Sequence, residues 1–112
     1  MNETVRGAAY DNLLVGEEYL LRNVRISSDT TVERGALLAG AYDGTGVTVH
    51  LATGSDTAGK ELFIAATESG SMEVIEAYES GRFNRSAIKS EVELSGFELE
   101  MRKQGLRLTE VI

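Results

Sequence analysis

The sequence predicts a mainly β fold, a small barrel or sandwich entered through an N-terminal arm. Three observations carry that expectation. Turn signals recur roughly every 8 to 12 residues through the middle of the chain, the spacing of short strands in an all-β domain. Between them lie short segments such as Val47-Thr48-Val49-His50-Leu51, which alternates, and Leu62-Phe63-Ile64-Ala65-Ala66, which is apolar throughout and short enough for a buried strand. The chain also carries twelve glycines and no proline, and glycine supplies the positive-φ positions that tight turns need.

Residues 1–14 show no clear period, and we read them as an arm that is poorly ordered when free. Residues 17–26 read as a strand, with Leu20, Val24 and Ile26 on one face and Tyr19 and Leu21 on the other. After the polar run Ser27-Ser28-Asp29-Thr30-Thr31, residues 36–42 form a second strand. Asp43-Gly44-Thr45-Gly46 is a hairpin signal returning the chain as a third strand, residues 47–51. Residues 53–59 are a loop, residues 62–66 a fourth strand, and Glu68-Ser69-Gly70-Ser71 a turn. The fifth strand, residues 72–79, sets Val74, Glu76 and Tyr78 against Glu73, Ile75 and Ala77 and ends at a Ser80-Gly81 turn. Residues 90–104 read two ways. At period 2 they are a hairpin about Ser95-Gly96. At period 3.6, Leu94, Phe97 and Met101 share a helix face, Ser90 and Glu93 match a capping box, and Gly105 stands at the C-terminal stop. Residues 106–112 close the chain as a last strand.

With 112 residues the chain is one domain, and it buries only about two-thirds of the surface its unfolded form exposes. Such a unit gains from sharing apolar surface with copies of itself. A net charge of −7 argues against nucleic acid and against an anionic membrane surface, both of which need clustered Lys and Arg. The absence of cysteine excludes disulfides and thiolate metal sites. No apolar run approaches a membrane span, and Met1-Asn2-Glu3-Thr4-Val5-Arg6 lacks the pattern of a signal peptide, so the expected place of synthesis and use is a cytoplasm or a particle assembled there.

Candidate chemistry is thin. Gly54-Ser55-Asp56-Thr57-Ala58-Gly59-Lys60 approaches a phosphate-binding loop, but Glu61 stands where Ser or Thr must hold Mg²⁺, and a strand rather than a helix follows. His50 has no second His or Cys to make a metal or catalytic set. The many glutamates mostly alternate with apolar residues, as a solvated face does. Asn2-Glu3-Thr4 and Asn84-Arg85-Ser86 match glycosylation acceptors by chance. Arg82, Arg85 and Lys89 form a small basic cluster suited to an acidic patch on a partner. No catalytic residue, cofactor or metal is expected, and the chain is not expected to be an enzyme.

One ordered set of segments is more specific. Glu33-Arg34-Gly35-Ala36-Leu37-Leu38-Ala39-Gly40 feeds a strand, Tyr78-Glu79-Ser80-Gly81-Arg82-Phe83-Asn84-Arg85-Ser86-Ala87-Ile88 follows about 45 residues later, and Met101-Arg102-Lys103-Gln104-Gly105-Leu106-Arg107-Leu108 comes last. In this order they resemble the head decoration, or capsid cement, proteins of tailed bacteriophages, the lambda-type family. The resemblance covers roughly residues 33–110. It implies a bent β-ribbon or incomplete barrel of β-clip type with one short C-terminal helix, which favours the helix for residues 90–104. It divides the chain into a flexible, capsid-binding arm, residues 1–14, and a β-rich decoration domain, residues 15–112. The lack of proline departs from the proline-rich arm of lambda-type proteins.

The resemblance further implies a structural role: a homotrimer on the outer surface of the virion, at three-fold and quasi-three-fold sites of the expanded head, stabilising it against packaged DNA. The partners are then the major capsid protein and the chain itself, with no nucleic acid and no membrane, and synthesis is in the bacterial host cytoplasm. Thr4, Val5, Arg6 and Tyr10 are the arm's candidate contacts. Arg82, Phe83, Asn84 and Arg85 are candidates for the trimer or capsid interface, although Phe83 equally suits a plug at the barrel base with Asn84 capping the next turn. The rival classes are an oligomeric β-barrel binding a sugar or peptide, and a β-clip nucleotide hydrolase, which would need an acid cluster in a recognisable motif.

Overall fold

The structure, a computed structural model, describes residues 13–16, 18–27, 31–42, 44–53, 61–70, 72–90 and 93–109. It contains strands β1 (Leu20–Ile26), β2 (Leu37–Tyr42), β3 (Val47–Leu51), β4 (Glu61–Ala65) and β5 (Val74–Asn84), helix α1 (Glu98–Gln104) and strand β6 (Leu106–Thr109). Strand neighbours run β1-β3-β2-β4-β5, and β5 pairs back with β1, so five strands close into a barrel with β6 outside the ring. The expected small β-barrel with one short C-terminal helix is therefore the architecture.

The barrel interior is filled by Val24 and Ile26 of β1, Leu38 of β2, Val47 and Val49 of β3, Phe63 and Ala65 of β4, and Ile75 and Ala77 of β5, with Val32 and Ala36 at one end. A second core lies on the outer face of β2, β4 and β5. Leu37, Ala39, Leu62, Ile64 and Tyr78 are covered there by Phe97 and Met101 around the helix, Leu106 of β6, Leu13 and Phe83. Strands β2 and β4 are thus buried on both faces, which is why Leu37-Leu38-Ala39 and Leu62-Phe63-Ile64-Ala65 do not alternate. Each fully buried large apolar side chain contributes about 1.5 to 3 kcal/mol.

Gly40 belongs to the wall shared by the two cores. It sits opposite Val49 and Glu61, and a Cβ there would press on the Thr48 carbonyl oxygen and lie 2.8 Å from Val49 Cγ1. Glycine lets the strands approach this closely.

Three features depart from expectation, and the burial of Tyr78 is a point that the sequence left open. The chain does not turn at Ser80-Gly81: β5 runs on to Asn84, with antiparallel β1 beside its first half and parallel β6 beside residues 81–84. Gly81 makes the change of partner, with φ +145° and its N–H donating to the Gly105 carbonyl at 3.0 Å. Tyr78, on the same alternation as exposed Val74 and Glu76, is buried because the second core covers that end of the outer face. Leu20 is exposed instead of joining Val24 and Ile26, since the register shifts between Leu20 and Leu21. The helix forms but starts late, at Glu98: a 3-10 turn at Leu94–Gly96 precedes it, and neither Glu93 before the turn nor Phe97 before the helix makes a side-chain cap bond. Its end is as expected, with Arg102 and Lys103 in the last turn and Gly105 left-handed at φ +98°.

Candidate functional site

The region singled out by sequence is the junction where β5 leaves β1 and meets β6. Ahead of β1, Leu13 and Leu14 lie antiparallel to the end of β5: Leu14 bridges Phe83, the Asn84 N–H donates to the Leu13 carbonyl at 2.9 Å, and the Val15 N–H donates to the Arg82 carbonyl at 2.9 Å. With β6 on the other side, residues 81–84 are the centre of a small three-stranded layer. The arm candidates Thr4, Val5, Arg6 and Tyr10 lie outside the described residues, as do residues 54–60 of the phosphate-loop lookalike. Leu13, fully buried, is the first described residue and forms the arm's root.

The four interface candidates part ways. Phe83 is 0% exposed and meets Tyr78 edge-on, with ring centroids 5.2 Å apart, so its side chain faces the core. Asn84 is buried too, and its Oδ1 accepts from the Ser86 N–H at 3.3 Å and the Ser86 hydroxyl at 3.0 Å, capping the 3-10 turn Arg85–Ala87. Arg85 forks onto Glu98, Nη1 to Oε1 at 2.8 Å and Nη2 to Oε2 at 2.7 Å, tying that turn to the start of α1. This fork holds the Glu98 carboxyl below its usual range, chiefly through the Arg85 hydrogen bonds; burial opposes that shift, and the charges of Arg85 and Arg102 add smaller lowering effects. Only Arg82 stays on the surface. Two of the three cations of the sequence-proposed basic cluster are engaged by this chain's own carboxylates, Arg85 by Glu98 and Lys89 by Glu33 at 3.0 Å.

The upstream segment meets this junction through one ring. Arg34 Nη1 donates to the Ala66 carbonyl at 2.7 Å and to the Tyr78 hydroxyl at 3.2 Å, and its guanidinium lies 5.8 Å from the Tyr78 ring centroid. Tyr78 in turn meets Phe83 on one side and Tyr19 on the other, the latter at 5.2 Å and 89°. So the Glu33-Arg34-Gly35 and Gly81-Arg82-Phe83-Asn84 segments, which start at residues 33 and 81, converge on Tyr78.

Beside the junction opens a groove of about 640 Å³, lined by Gly16, Tyr19, Gly81, Arg82, Gly105 and Arg107 among others. Arg107 was not singled out by sequence. Its signal is the alternation of Leu106-Arg107-Leu108, which turns Arg107 outward as Gly81-Arg82-Phe83 turns Arg82 outward, but only the parallel β5–β6 register makes the two neighbours. His50 is half-buried on β3 opposite Ala39. Among the described residues no three His, Cys, Asp or Glu side chains gather to hold a metal, and no helix is long and apolar enough to cross a membrane. No protein-family model matches the chain, and comparison with curated proteins finds no match.

Proposed function

We propose that the chain is a structural capsid decoration protein, bound as a homotrimer to three-fold and quasi-three-fold sites outside the expanded head of a tailed phage. The observation that carries this reading is the order of parts at the junction. Gly81-Arg82-Phe83-Asn84 precedes a short helix and Gly105 releases the chain into a closing strand, as in the decoration family, with the difference that here the segment is itself the end of β5 rather than a stretch after it. The exposed apolar side chains Leu20, Leu21, Met72 and Val74 add support, since a trimer has a use for such surface.

The mechanism needs no reaction. Three copies of one surface around a symmetry axis match three shell subunits, and linking three weak contacts in one body raises avidity by roughly 10² to 10⁴ over a single contact. Residues 2–12 add a strand to the shell protein through backbone hydrogen bonds, with Val5 and Tyr10 as anchors. Ordering such an arm costs about 1 to 2 kcal/mol per residue in backbone entropy, so these anchors must bury substantial surface.

Co-sedimentation with expanded and unexpanded phage heads tests the reading. The full chain is expected to pellet with expanded heads only. The chain lacking residues 2–12 is expected to fold and trimerise but stay in the supernatant. Failure of the full chain to bind any mature head overturns the proposal, and decoration by the truncated chain removes the arm from it.

A further inference from the structure

We propose that the groove beside Tyr19 is a docking site for an extended acidic segment of a partner protein, whose carboxylates are held by Arg82 and Arg107. Two observations lead there. Arg82 and Arg107 are register partners in the parallel β5–β6 pair, so their side chains leave the same face of strands about 4.8 Å apart. Like charges so placed repel, and the arrangement is relieved when an anion sits between them. Both arginines are exposed and neither forms an ion pair among the described residues, a state they share with Arg25 and Arg102 but, unlike those, they have it as immediate neighbours on one groove.

The shape selects the ligand. At about 640 Å³ the groove is far larger than a lone oxyanion. Gly16, with open space where a Cβ would stand, leaves that end open to a backbone, and the exposed flanks of Tyr19 and Leu20 give the groove an apolar wall. A peptide alternating carboxylates with apolar side chains matches both the wall and the arginine forks. A nucleic acid does not, because two cations on a chain of net charge −7 cannot offset repeated phosphates. Glu18 also lines the groove, so it repels an acidic ligand and limits affinity. The inference is independent of the decoration role and holds whichever protein carries the acidic segment.

The test is an amide chemical-shift titration of the full chain with a blocked octapeptide alternating glutamate and leucine, at low salt. Shifts are expected at Gly16, Tyr19, Gly81, Arg82, Gly105 and Arg107. Affinity is expected to fall about 5-fold for Arg82→Gln or Arg107→Gln alone, and further for the pair. Glu18→Gln is expected to raise affinity about 2-fold, and added salt to lower it. The Phe83 and Leu106 amides report whether each variant stays folded, and the shift map of the unaltered chain tests the site even if a variant does not. Shifts centred elsewhere, no binding, equal binding of the peptide with lysine for glutamate, or stronger binding of inorganic phosphate or oligothymidylate would each overturn the proposal.

Discussion

Replacing Phe83 by alanine separates a core plug from an interface anchor. The ring is 0% exposed in the single chain, sits edge-on to Tyr78 with centroids 5.2 Å apart, and fills the space over Gly81, where even a Cβ would lie 3.1 Å from its Cζ. Removing a buried Phe side chain costs about 3 to 5 kcal/mol when its surroundings cannot collapse into the gap. Collapse is restricted here, because the strands on both sides of residue 83 are hydrogen-bonded in place. Against a total stability of about 5 to 15 kcal/mol, that is a large fraction. For a domain of this size it lowers Tm by roughly 15 °C. The assay is urea and thermal unfolding of the chain at several concentrations, followed by circular dichroism. A Phe83→Ala protein melting within about 3 °C of the parent, with self-association abolished, would refute the plug and return Phe83 to an interface.

Two further predictions follow from the same packing and pairing. Gly40→Ala is expected to destabilise by about 3 kcal/mol, the upper end for overpacking, because its Cβ meets backbone of β3 rather than a flexible side chain; a urea midpoint unchanged from the parent would contradict the strand approach at Gly40. Glu98→Gln is expected to cost about 1 kcal/mol at pH 7 by breaking the fork with Arg85, which is only partly buried and so screened by solvent. Because the folded-state pKa of Glu98 is lowered, its contribution is full above the ordinary carboxylate pKa of about 4.3 and lost as pH falls through the lower folded value. Unfolding midpoints of parent and variant should therefore differ at pH 7 and draw together as pH falls below the ordinary carboxylate range; a difference independent of pH would show that the fork is not its source.

Strands β2, β3 and β4 were legible because their signals are local: a glycine-rich hairpin, a clean alternation, and apolar runs whose lack of alternation announces burial on both faces. What escaped reading depends on partners distant in sequence. Gly81 looks like a stop, and only the arrival of β6 turns it into a crossing point. Tyr78 carries the alternation of a solvent-facing residue, and only the second core, assembled from Leu13 and α1, covers it. Of the site, Asn84 as a turn cap and Phe83 as a plug could be argued from residue type. The pairing of Arg82 with Arg107 could not, since parallel register is set by tertiary structure.

The two hydrogen bonds that fasten residues 13–15 to the end of β5 give the barrel a directional grip. A force drawn along the strand axis from Leu13 loads both bonds together and works against the buried Leu13 side chain as well. A force drawn away from the layer opens them one after the other. Anything hauled from this end therefore meets stiff resistance in line with β5 and gives way when peeled sideways.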